Sequence, residues 1–414
     1  MTALLHRPPT PTLDLPLWTI GAPRLLAGLD RAESLELRGH LAAHGALPVV
    51  TLDRLLTSLD AIGGLAGRGG GAFSFAAKLR ALADGPRRVV VNGAESEPAS
   101  AKDRTLLRRA PHLVLDGALA VAAAVGANEV TVAVHDSLAF QRLRAAAAER
   151  PDGRRVRIRM VSGGFVAGEA RAVVRALQGG PALPTGRRTP PTATGTLVSN
   201  AETFAQVAVL LRMGPHRYAE TGTRMEPGTT LMTVGGAVGR PGVIEIPLGT
   251  PLGIVLTAAA AVHTQAVVIG GYHGSWLAPI PEIRLSREGV AAAGGTFGAG
   301  VLLAVDTATC ALGELARVTA WLAAESAKQC GPCRFGLPTL AADVAALVAG
   351  RPAVAAALDH ARMLDGRGAC GHPDGAARFV TSGLHLLHDE TDLHLAHGGC
   401  GRSVLGRLPI GPAR

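Results

Sequence analysis

The chain has 414 residues, of which 48% are hydrophobic and 18% are charged, and its formal net charge is +9. A chain of this length can bury a large core without disulfide staples, and its five cysteines are an odd number, so we expect a reducing, cytoplasmic setting. Scattered arginines without basic runs argue against a nucleic-acid partner, and no apolar run predicts a signal peptide or a transmembrane segment.

The first half of the chain predicts an arm followed by an α/β domain. Residues 1–55 contain Pro-rich and short helical pieces, which predict a wrapping N-terminal arm rather than a domain. Strand and helix patterns then alternate in the order strand 88–92, helix 113–125, strand 129–134, helix 138–148 and strand 156–161. This alternation predicts a domain with a parallel sheet over 56–225.

The pattern changes in the second half of the chain. Short strands at 230–235, 242–247 and 266–270 surround one helical stretch at 252–261, which predicts a small α+β module over 226–308. Residues 309–414 are mostly helical in pattern, with Gly, Pro and Cys at the turns. Three structured units are therefore expected after the arm.

A glycine-rich segment at 63–71 precedes a predicted helix at 75–83. Arg68 lies among its glycines and Lys78 falls on the helix. By itself, such a run is also typical of a flexible linker. The cation within it and the helix after it favour a loop whose backbone N–H groups and helix N-terminus bind a phosphate. Its spacing matches neither GxxxxGK[ST] nor GxGxxG.

A polar cluster follows the 88–92 strand, with NGAESEP at 92–98 and KDR at 102–104. Ligands in open α/β sheets bind at the carboxyl ends of strands, so this cluster predicts a cofactor site. A solvated loop is the alternative interpretation.

Several motifs together resemble a known family. GGLAGRGGGAF at 63–73, NGAESEP at 92–98, GGFVAGEA at 163–170 and LVSNAETFAQV at 197–207 resemble the FMN-binding domain of the NADH-oxidising flavoprotein subunit of respiratory complex I. The same domain occurs in diaphorase subunits of NAD-linked hydrogenases and formate dehydrogenases. Residues 235–252 resemble its β-grasp, soluble-ligand-binding module, and ESAKQCGPCRFG at 325–336 with GRGAC at 366–370 resembles its iron–sulfur helical bundle.

The fold class implied by the resemblance is α/β: a Rossmann-like FMN-binding domain with a parallel sheet, a small β-grasp module and a C-terminal helical bundle carrying an iron–sulfur site. The resemblance also implies three sets of contacts. Those to the FMN phosphate are Gly67, Arg68, Gly69, Gly70 and Lys78. Those to the isoalloxazine and ribityl groups are Asn92, Glu95, Ser96 and Asn200. Those that line the nicotinamide nucleotide site are Phe73 and the catalytic pair Glu97 and Glu169, which would orient the nicotinamide.

Departures from the family pattern fall on the nucleotide-facing side. Ala94 replaces an Asp, Ala170 replaces a second Glu, and Ala81 replaces an aromatic residue beside the adenine. Thr189 stands where the family has a Lys before two prolines, although Arg188 beside it offers a cation. FMN binding is therefore better supported by the sequence than NADH oxidation.

The cysteines also depart from the family, which ligates a [4Fe-4S] cluster with CxxCxxC and a fourth Cys about forty residues later. Ala327 occupies the first position, so the metal ligands implied here are Cys330, Cys333 and Cys370. A [3Fe-4S] cluster, a [4Fe-4S] cluster with one iron lacking a Cys ligand, and no cluster are the alternatives. Cys400 or His372 is a candidate fourth ligand. A CxxC pair alone is also typical of a redox dithiol or half a zinc site.

The remaining cysteine and the C-terminal histidines receive plainer interpretations. Cys310 is interpreted as a small buried hydrophobic residue. A solvated acidic and histidine-rich tail is favoured over a metal site for His385, His388, Asp389, Glu390, Asp392, His394 and His397.

The function implied by the resemblance is that of an FMN-dependent NAD(P)H dehydrogenase or diaphorase-type subunit. It would pass electrons from NADH through FMN and the iron–sulfur cluster to a ferredoxin-like or quinone-linked redox partner, in peripheral association with a membrane complex. One alternative is an FMN electron-transfer protein that has lost NADH binding and exchanges electrons only with partner proteins. The other is a binding scaffold with vestigial redox sites.

Overall fold

The computed structural model describes residues 15–187 and 189–411. Its strands are β1 (Leu17–Thr19), β2 (Arg88–Gly93), β3 (Val130–Val134), β4 (Val156–Met160), β5 (Thr196–Asn200), β6 (Thr229–Gly236), β7 (Gly242–Pro247), β8 (Thr250–Pro251), β9 (Thr264–Ile269), β10 (Ser275–Leu277), β11 (Arg284–Leu285) and β12 (Val301–Asp306). Its α-helices are α1 (Leu37–His44), α2 (Leu52–Asp60), α3 (Phe75–Arg80), α4 (Lys102–Arg109), α5 (Pro111–Ala124), α6 (Ser137–Glu149), α7 (Ala170–Leu177), α8 (Ala201–Ala219, interrupted at Gly214), α9 (Leu252–Ala258), α10 (Arg287–Ala292), α11 (Ala311–Ala324), α12 (Leu337–Val348), α13 (Val354–Leu364), α14 (His372–Leu386) and α15 (His388–His397).

The first unit is built on a four-stranded sheet in the order β4-β3-β2-β5. Every pairing in it is parallel, as the alternation of strands and helices predicts. Valines occupy most positions of its central strands β2 and β3. Helices α5 and α8 approach so closely that a Cβ on Gly117 would lie 1.8 Å from the Phe204 carbonyl oxygen. The expected fold class of this unit is confirmed.

The second unit contains a six-stranded sheet in the order β1-β7-β6-β12-β9-β10. Its edge strand β1 comes from the N-terminal arm and runs parallel to β7, with Leu17 opposite Val243. Glu245 on β7 also accepts hydrogen bonds from the backbone N–H groups of Arg24, Leu25 and Leu26. The arm therefore contributes a strand that its Pro-rich sequence did not predict.

The third unit is helical, as predicted, and its core forms between α11, α12 and α14. Among the residues that the structure describes, no helix combines the length and apolarity needed to cross a bilayer. The divisions placed at residues 55, 225 and 308 stay a prediction.

The three units meet at one aromatic cluster, which we call the junction. Phe165 of the first unit packs edge-on against His273 of the second at 4.7 Å and against Trp321 of the third at 5.1 Å between ring centroids. Its backbone N–H also donates to the Glu325 carboxylate at 3.2 Å. The junction holds the segment around Phe165 against the end of α11, the helix that precedes Cys330 and Cys333.

Candidate functional site

The carboxyl ends of β2 and β5 bring two amide side chains together. Asn92 and Asn200 lie directly opposite each other in the parallel register of these strands. The Asn92 amide donates to the Gly168 carbonyl at 2.8 Å, and the Asn200 amide donates to the Asp103 carboxylate at 2.6 Å. These residues thus share the sheet edge at which open α/β sheets bind ligands.

The glycine-rich loop covers this edge. A Cβ on Gly69 would lie 3.6 Å from the Asn200 Cβ, and a Cβ on Gly70 would meet no other atom within 4 Å. Gly67 is more confined, because its Cβ would lie 3.0 Å from the carbonyl oxygen of Phe73. The loop therefore presents an open side near Gly70. The helix after it, α3, ends at Arg80, three residues before the predicted end.

The two predicted phosphate-binding cations point in different directions. Lys78 donates to the Val198 carbonyl on β5 at 3.1 Å, and burial lowers the pKa of this lysine. Arg68 is buried, donates to the Thr229 carbonyl at 3.3 Å and lies 3.9 Å from the Glu202 carboxylate. Its Nε and Nη1 atoms have no hydrogen-bond partner within the described ranges. A phosphate-binding role for Arg68 stays a prediction.

Glu95 and Ser96 lie in the turn that follows β2. The Glu95 carboxylate accepts the backbone N–H groups of Asp103 at 3.1 Å and Arg104 at 3.2 Å, so it helps to begin α4. Gly168 packs against Ser96 so closely that a Cβ on it would lie 2.6 Å from the serine Oγ. The turn is thereby locked to the segment that contains Glu169.

A buried charge cluster lies beneath this edge, and two of its residues belong to the KDR motif that the sequence analysis placed in a cofactor site. Lys102 Nζ lies 3.0 Å from the Asp103 carboxylate and 3.1 Å from the Glu202 carboxylate. Burial opposes the charged lysine, but these carboxylates outweigh it and raise the pKa of Lys102. Burial raises the pKa of Asp103 to about 6. The KDR motif marks this cluster in the sequence, although only as polar residues after a strand.

Phe73 and Glu97 differ strongly in their surroundings. Phe73 is 73% exposed, so its ring can contact a bound molecule. Glu97 is partly buried and accepts the backbone N–H of Tyr272 at 2.8 Å, which links it to the junction. Burial raises the pKa of the Glu97 carboxyl to about 7. Glu97 can therefore donate or accept a hydrogen bond near neutral pH.

Glu169 has a structural task of its own. It caps α7 by accepting the backbone N–H groups of Arg171 at 2.8 Å and Ala172 at 3.1 Å, and it pairs with the Arg171 guanidinium at 2.9 Å. Arg171 also donates to the carbonyl of Thr189, whereas Arg188 lies outside the described residues. The catalytic roles of Glu97 and Glu169 stay predictions.

The three cysteines implied as iron ligands come together in the helical unit. Burial opposes the thiolate of Cys330, but the backbone N–H groups of Ala369 and Cys333 and other nearby groups outweigh this effect and lower the pKa of Cys330. Burial, followed by contact with Cys330, raises the pKa of Cys333 to about 12. Burial raises the pKa of Cys370 as well, and the negative charge of Glu169 adds to this effect. The Arg187 guanidinium donates to the Cys370 carbonyl at 2.6 Å and the Arg187 carbonyl accepts from Arg171, which connects this cysteine to the segment of Glu169.

Neither candidate fourth ligand joins these three thiols. His372 Nδ1 lies 2.9 Å from His273 Nε2, and its Nε2 lies 2.9 Å from the Leu322 carbonyl oxygen, so both ring nitrogens are engaged. Cys400 lies with Cys310 in a separate group of side chains. The position left by Ala327 is therefore filled by neither residue.

The prediction of a solvated C-terminal tail is wrong for two of its residues. Glu390 is 5% exposed and His394 is 4% exposed, because α15 packs against α11 and α12. Cys310 is buried as expected, but it contacts His394 Nε2 at 3.3 Å rather than only apolar atoms.

Comparisons with known proteins match both parts of this arrangement. Residues 62–209 match the family described as the Nuo51 FMN-binding domain, and residues 308–394 match the NADH-ubiquinone oxidoreductase-F iron-sulfur binding region. The F subunit of the NADH-quinone oxidoreductase of Mycobacterium bovis is 30% identical over 398 residues, which cover 88% of this chain and 89% of that protein. The chain belongs to the family of F subunits of NADH-quinone oxidoreductase.

Other members and solved structures agree with this assignment. The F subunit of the NADH-quinone oxidoreductase of Streptomyces coelicolor is 28% identical to this chain, and the match covers 92% of each of the two chains. The air-oxidised NAD+-reducing [NiFe]-hydrogenase has a chain that superposes with a TM-score of 0.80 at 26% identity, covering 97% of this chain and 74% of that one. Its H2-reduced form superposes with a TM-score of 0.76. The resemblance, the fold class and the cofactor assignment drawn from the sequence are confirmed.

The residues present fit the cofactors named in these family descriptions. The open side of the loop at Gly70, the partly buried Lys78 and the neighbouring Asn92 and Asn200 suit a phosphate attached to a polar ring system such as FMN. Three thiols suit three irons of an iron–sulfur cluster, and the fourth position has Ala327. Which individual residues contact each cofactor stays a prediction.

Proposed function

We propose that this chain oxidises a nicotinamide dinucleotide at FMN and passes the electrons through an iron–sulfur cluster to a partner subunit. One observation carries the proposal. Glu169, assigned to the nicotinamide side, pairs with Arg171, which donates to the Arg187 carbonyl at 3.0 Å. Arg187 in turn donates to the carbonyl of Cys370, assigned to the cluster, at 2.6 Å, so a chain of contacts joins the two sites. The names of the relatives, an NADH-quinone oxidoreductase subunit and an NAD+-reducing hydrogenase, support the same substrate.

Bound FMN would accept a hydride and release single electrons, which is chemistry that the protein side chains do not supply. The protein's part is placement. Asn92 and Asn200 would fix the ring, while the loop and Lys78 would hold the phosphate. Phe73 would cover the nucleotide. Glu97, whose pKa is raised to about 7, would hydrogen-bond the carboxamide of the nicotinamide. The junction would hold the three units in place around the cofactors, because Phe165 of the first unit contacts an aromatic ring from each of the other two.

The electron acceptor would be a ferredoxin-like or quinone-linked partner subunit of a cytoplasmic or peripheral membrane complex. One relative is named as a subunit of NADH-quinone oxidoreductase, and the other structure is of an NAD+-reducing [NiFe]-hydrogenase. Phe335 is 71% exposed and lies two residues after Cys333, so this turn offers an apolar contact beside the cluster. A partner docked here would receive electrons over a short distance.

A second candidate function is an FMN electron carrier that no longer uses NADH. Ala94 and Ala170 remove two carboxylates from the nucleotide-facing side. Of the two carboxylates that remain there, that of Glu169 is already engaged by Arg171 and by the start of α7. In this alternative, both the electron donor and the acceptor are proteins.

An anaerobic preparation of the whole chain separates these candidates. Its visible spectrum and iron content are recorded before and after addition of NADH, and then of dithionite. Bleaching of the flavin by NADH supports the proposed dehydrogenase. A flavin that is bleached only by dithionite supports the electron carrier, and a protein that neither carries nor binds FMN contradicts both. Phe73→Ala tests the nucleotide side, because it should slow bleaching by NADH and leave bleaching by dithionite unchanged.

A further inference from the structure

A second group of metal-binding side chains lies in the helical unit, separate from Cys330, Cys333 and Cys370. One ligand atom each from Cys310, Glu390, His394 and Cys400 lies within 4.8 Å of the others. The first three residues are buried, and Cys400 is partly buried. In tetrahedral coordination with bonds of about 2.0–2.3 Å, ligand atoms are about 3.3–3.8 Å apart, so small side-chain movements would close this group around one ion.

The fold brings these residues from three places. Cys310 caps the N-terminus of α11, and Glu390 and His394 are one turn apart on α15. Cys400 follows α15, after a left-handed turn at Gly398. The backbone N–H of Cys310 donates to the Ser403 carbonyl at 2.9 Å, which fixes the chain after Cys400 against the start of α11.

The orientation of His394 is that of a metal ligand. Its Nδ1 lies 2.8 Å from the Val348 carbonyl oxygen, so Nδ1 carries the proton and donates it. Its Nε2 is then left with a lone pair, which faces Cys310 Sγ at 3.3 Å. A backbone carbonyl that holds one ring nitrogen while the other faces the ligand group is the usual arrangement around a metal-bound histidine.

The surroundings also suit two thiolates and a carboxylate around a cation. The Gly313 N–H points at Cys310 Sγ at 3.2 Å. The Glu390 carboxylate accepts the Leu312 N–H at 3.0 Å and the Arg402 guanidinium at 2.7 Å, and its remaining lone pairs stay available for a metal. Two thiolates, a carboxylate, a divalent cation and Arg402 together sum to zero charge.

Two sulfur ligands, one imidazole nitrogen and one carboxylate oxygen in a four-coordinate group favour zinc over magnesium or calcium, which prefer oxygen ligands. We propose that Cys310, Glu390, His394 and Cys400 bind one zinc ion that fastens the C-terminal segment to the start of α11. With four protein ligands the site is closed, so the role is structural.

The proposed site is independent of the redox function. Helix α11 has 14 residues and is about 21 Å long, and Cys310 lies at its start whereas Cys330 and Cys333 follow its end. The two groups of cysteines therefore occupy opposite ends of one helix. A substitution in one group should therefore change the content of only one metal, so iron and zinc measurements distinguish the two sites.

The test measures zinc and iron per chain in the full-length protein, purified without chelator. We expect one zinc per wild-type chain, and a loss of at least about tenfold in Cys400→Ser and His394→Gln, because each removes a ligand. The matched control is Cys370→Ser, which removes a thiol at the other end of α11. It should lower iron and leave zinc unchanged.

A second measurement covers variants that fail to fold. Wild-type protein stripped by a chelator should unfold at a lower temperature, and one equivalent of Zn2+ should restore the Tm. Cobalt added in place of zinc should give the visible absorption of a tetrahedral thiolate site. Three results would each overturn the proposal: a wild-type chain that neither carries nor takes up zinc, zinc loss in Cys370→Ser equal to that in Cys400→Ser, or a Cys310–Cys400 disulfide found by mass spectrometry.

Discussion

Gly70 offers a direct test of whether the glycine-rich loop holds a phosphate. In Gly70→Ala the new methyl group would meet no other protein atom within 4 Å, and the backbone there is not left-handed. The free energy of unfolding of the apoprotein should therefore stay equal or rise by up to about 1 kcal/mol, because alanine restricts the unfolded chain more than glycine does.

FMN binding should respond in the opposite direction. The methyl group would occupy the open side of the loop and hold the phosphate away from the backbone N–H groups. Loss of one hydrogen bond to a charged group costs about 1.5–3 kcal/mol. The Kd for FMN should therefore rise by about tenfold to a hundredfold.

The assay titrates apoprotein with FMN by flavin fluorescence or calorimetry, with unfolding followed in parallel. Gly39→Ala on α1 is the matched control, because its Cβ would meet only Leu35, at 3.6 Å. It should alter stability by a similar amount and leave the Kd for FMN unchanged. If Gly70→Ala binds FMN as tightly as the wild type, the phosphate is not held at this loop.

Two further substitutions test the burial of Glu97 and the ligand position at Ala327. Because burial raises the pKa of Glu97 from 4.5 to about 7, its ionisation costs stability as pH rises through this range. Glu97→Gln should raise the free energy of unfolding at pH 8 by on the order of 1–3 kcal/mol. In urea titrations, the free energy of unfolding of this variant should depend less on pH than that of the wild type. If wild type and variant have the same pH profile, the burial argument is wrong. Ala327→Cys supplies the missing thiol and should raise iron per chain, with the exposed Ala349→Cys as control. Unchanged iron would count against Cys330, Cys333 and Cys370 as ligands.

The sequence predicted those parts of the site that depend on local rules. Asn92 ends a strand pattern, and parallel strands place their carboxyl ends at one edge, so its position in the site followed from the pattern alone. For Cys330 and Cys333 the spacing alone is also typical of a redox dithiol or half a zinc site, so their role as iron ligands came from the family resemblance and stays a prediction. The position of Asn92 needed only neighbouring residues and a general topology.

Features that depend on distant contacts were not predicted. Cys310 and His394 are 84 residues apart, and no local spacing joins them. Loop residues such as Arg68 follow no periodicity, so nothing in the sequence showed that its side chain turns inward toward Glu202. Strand β1 has three residues, too few for an alternation to be recognised.

The docking of the N-terminal arm sets an order for folding during synthesis. Glu245, which accepts the backbone N–H of Arg24, emerges from the ribosome 221 residues later. At a synthesis rate of about 5–20 residues per second, about 10–45 s pass between the synthesis of the arm and that of Glu245, and the FMN-binding unit is translated in this time. The parallel sheet can form in that interval, but the edge strand β1 has no strand to pair with until β7 appears. Shortening the chain at its beginning would therefore damage a unit encoded more than half-way along it.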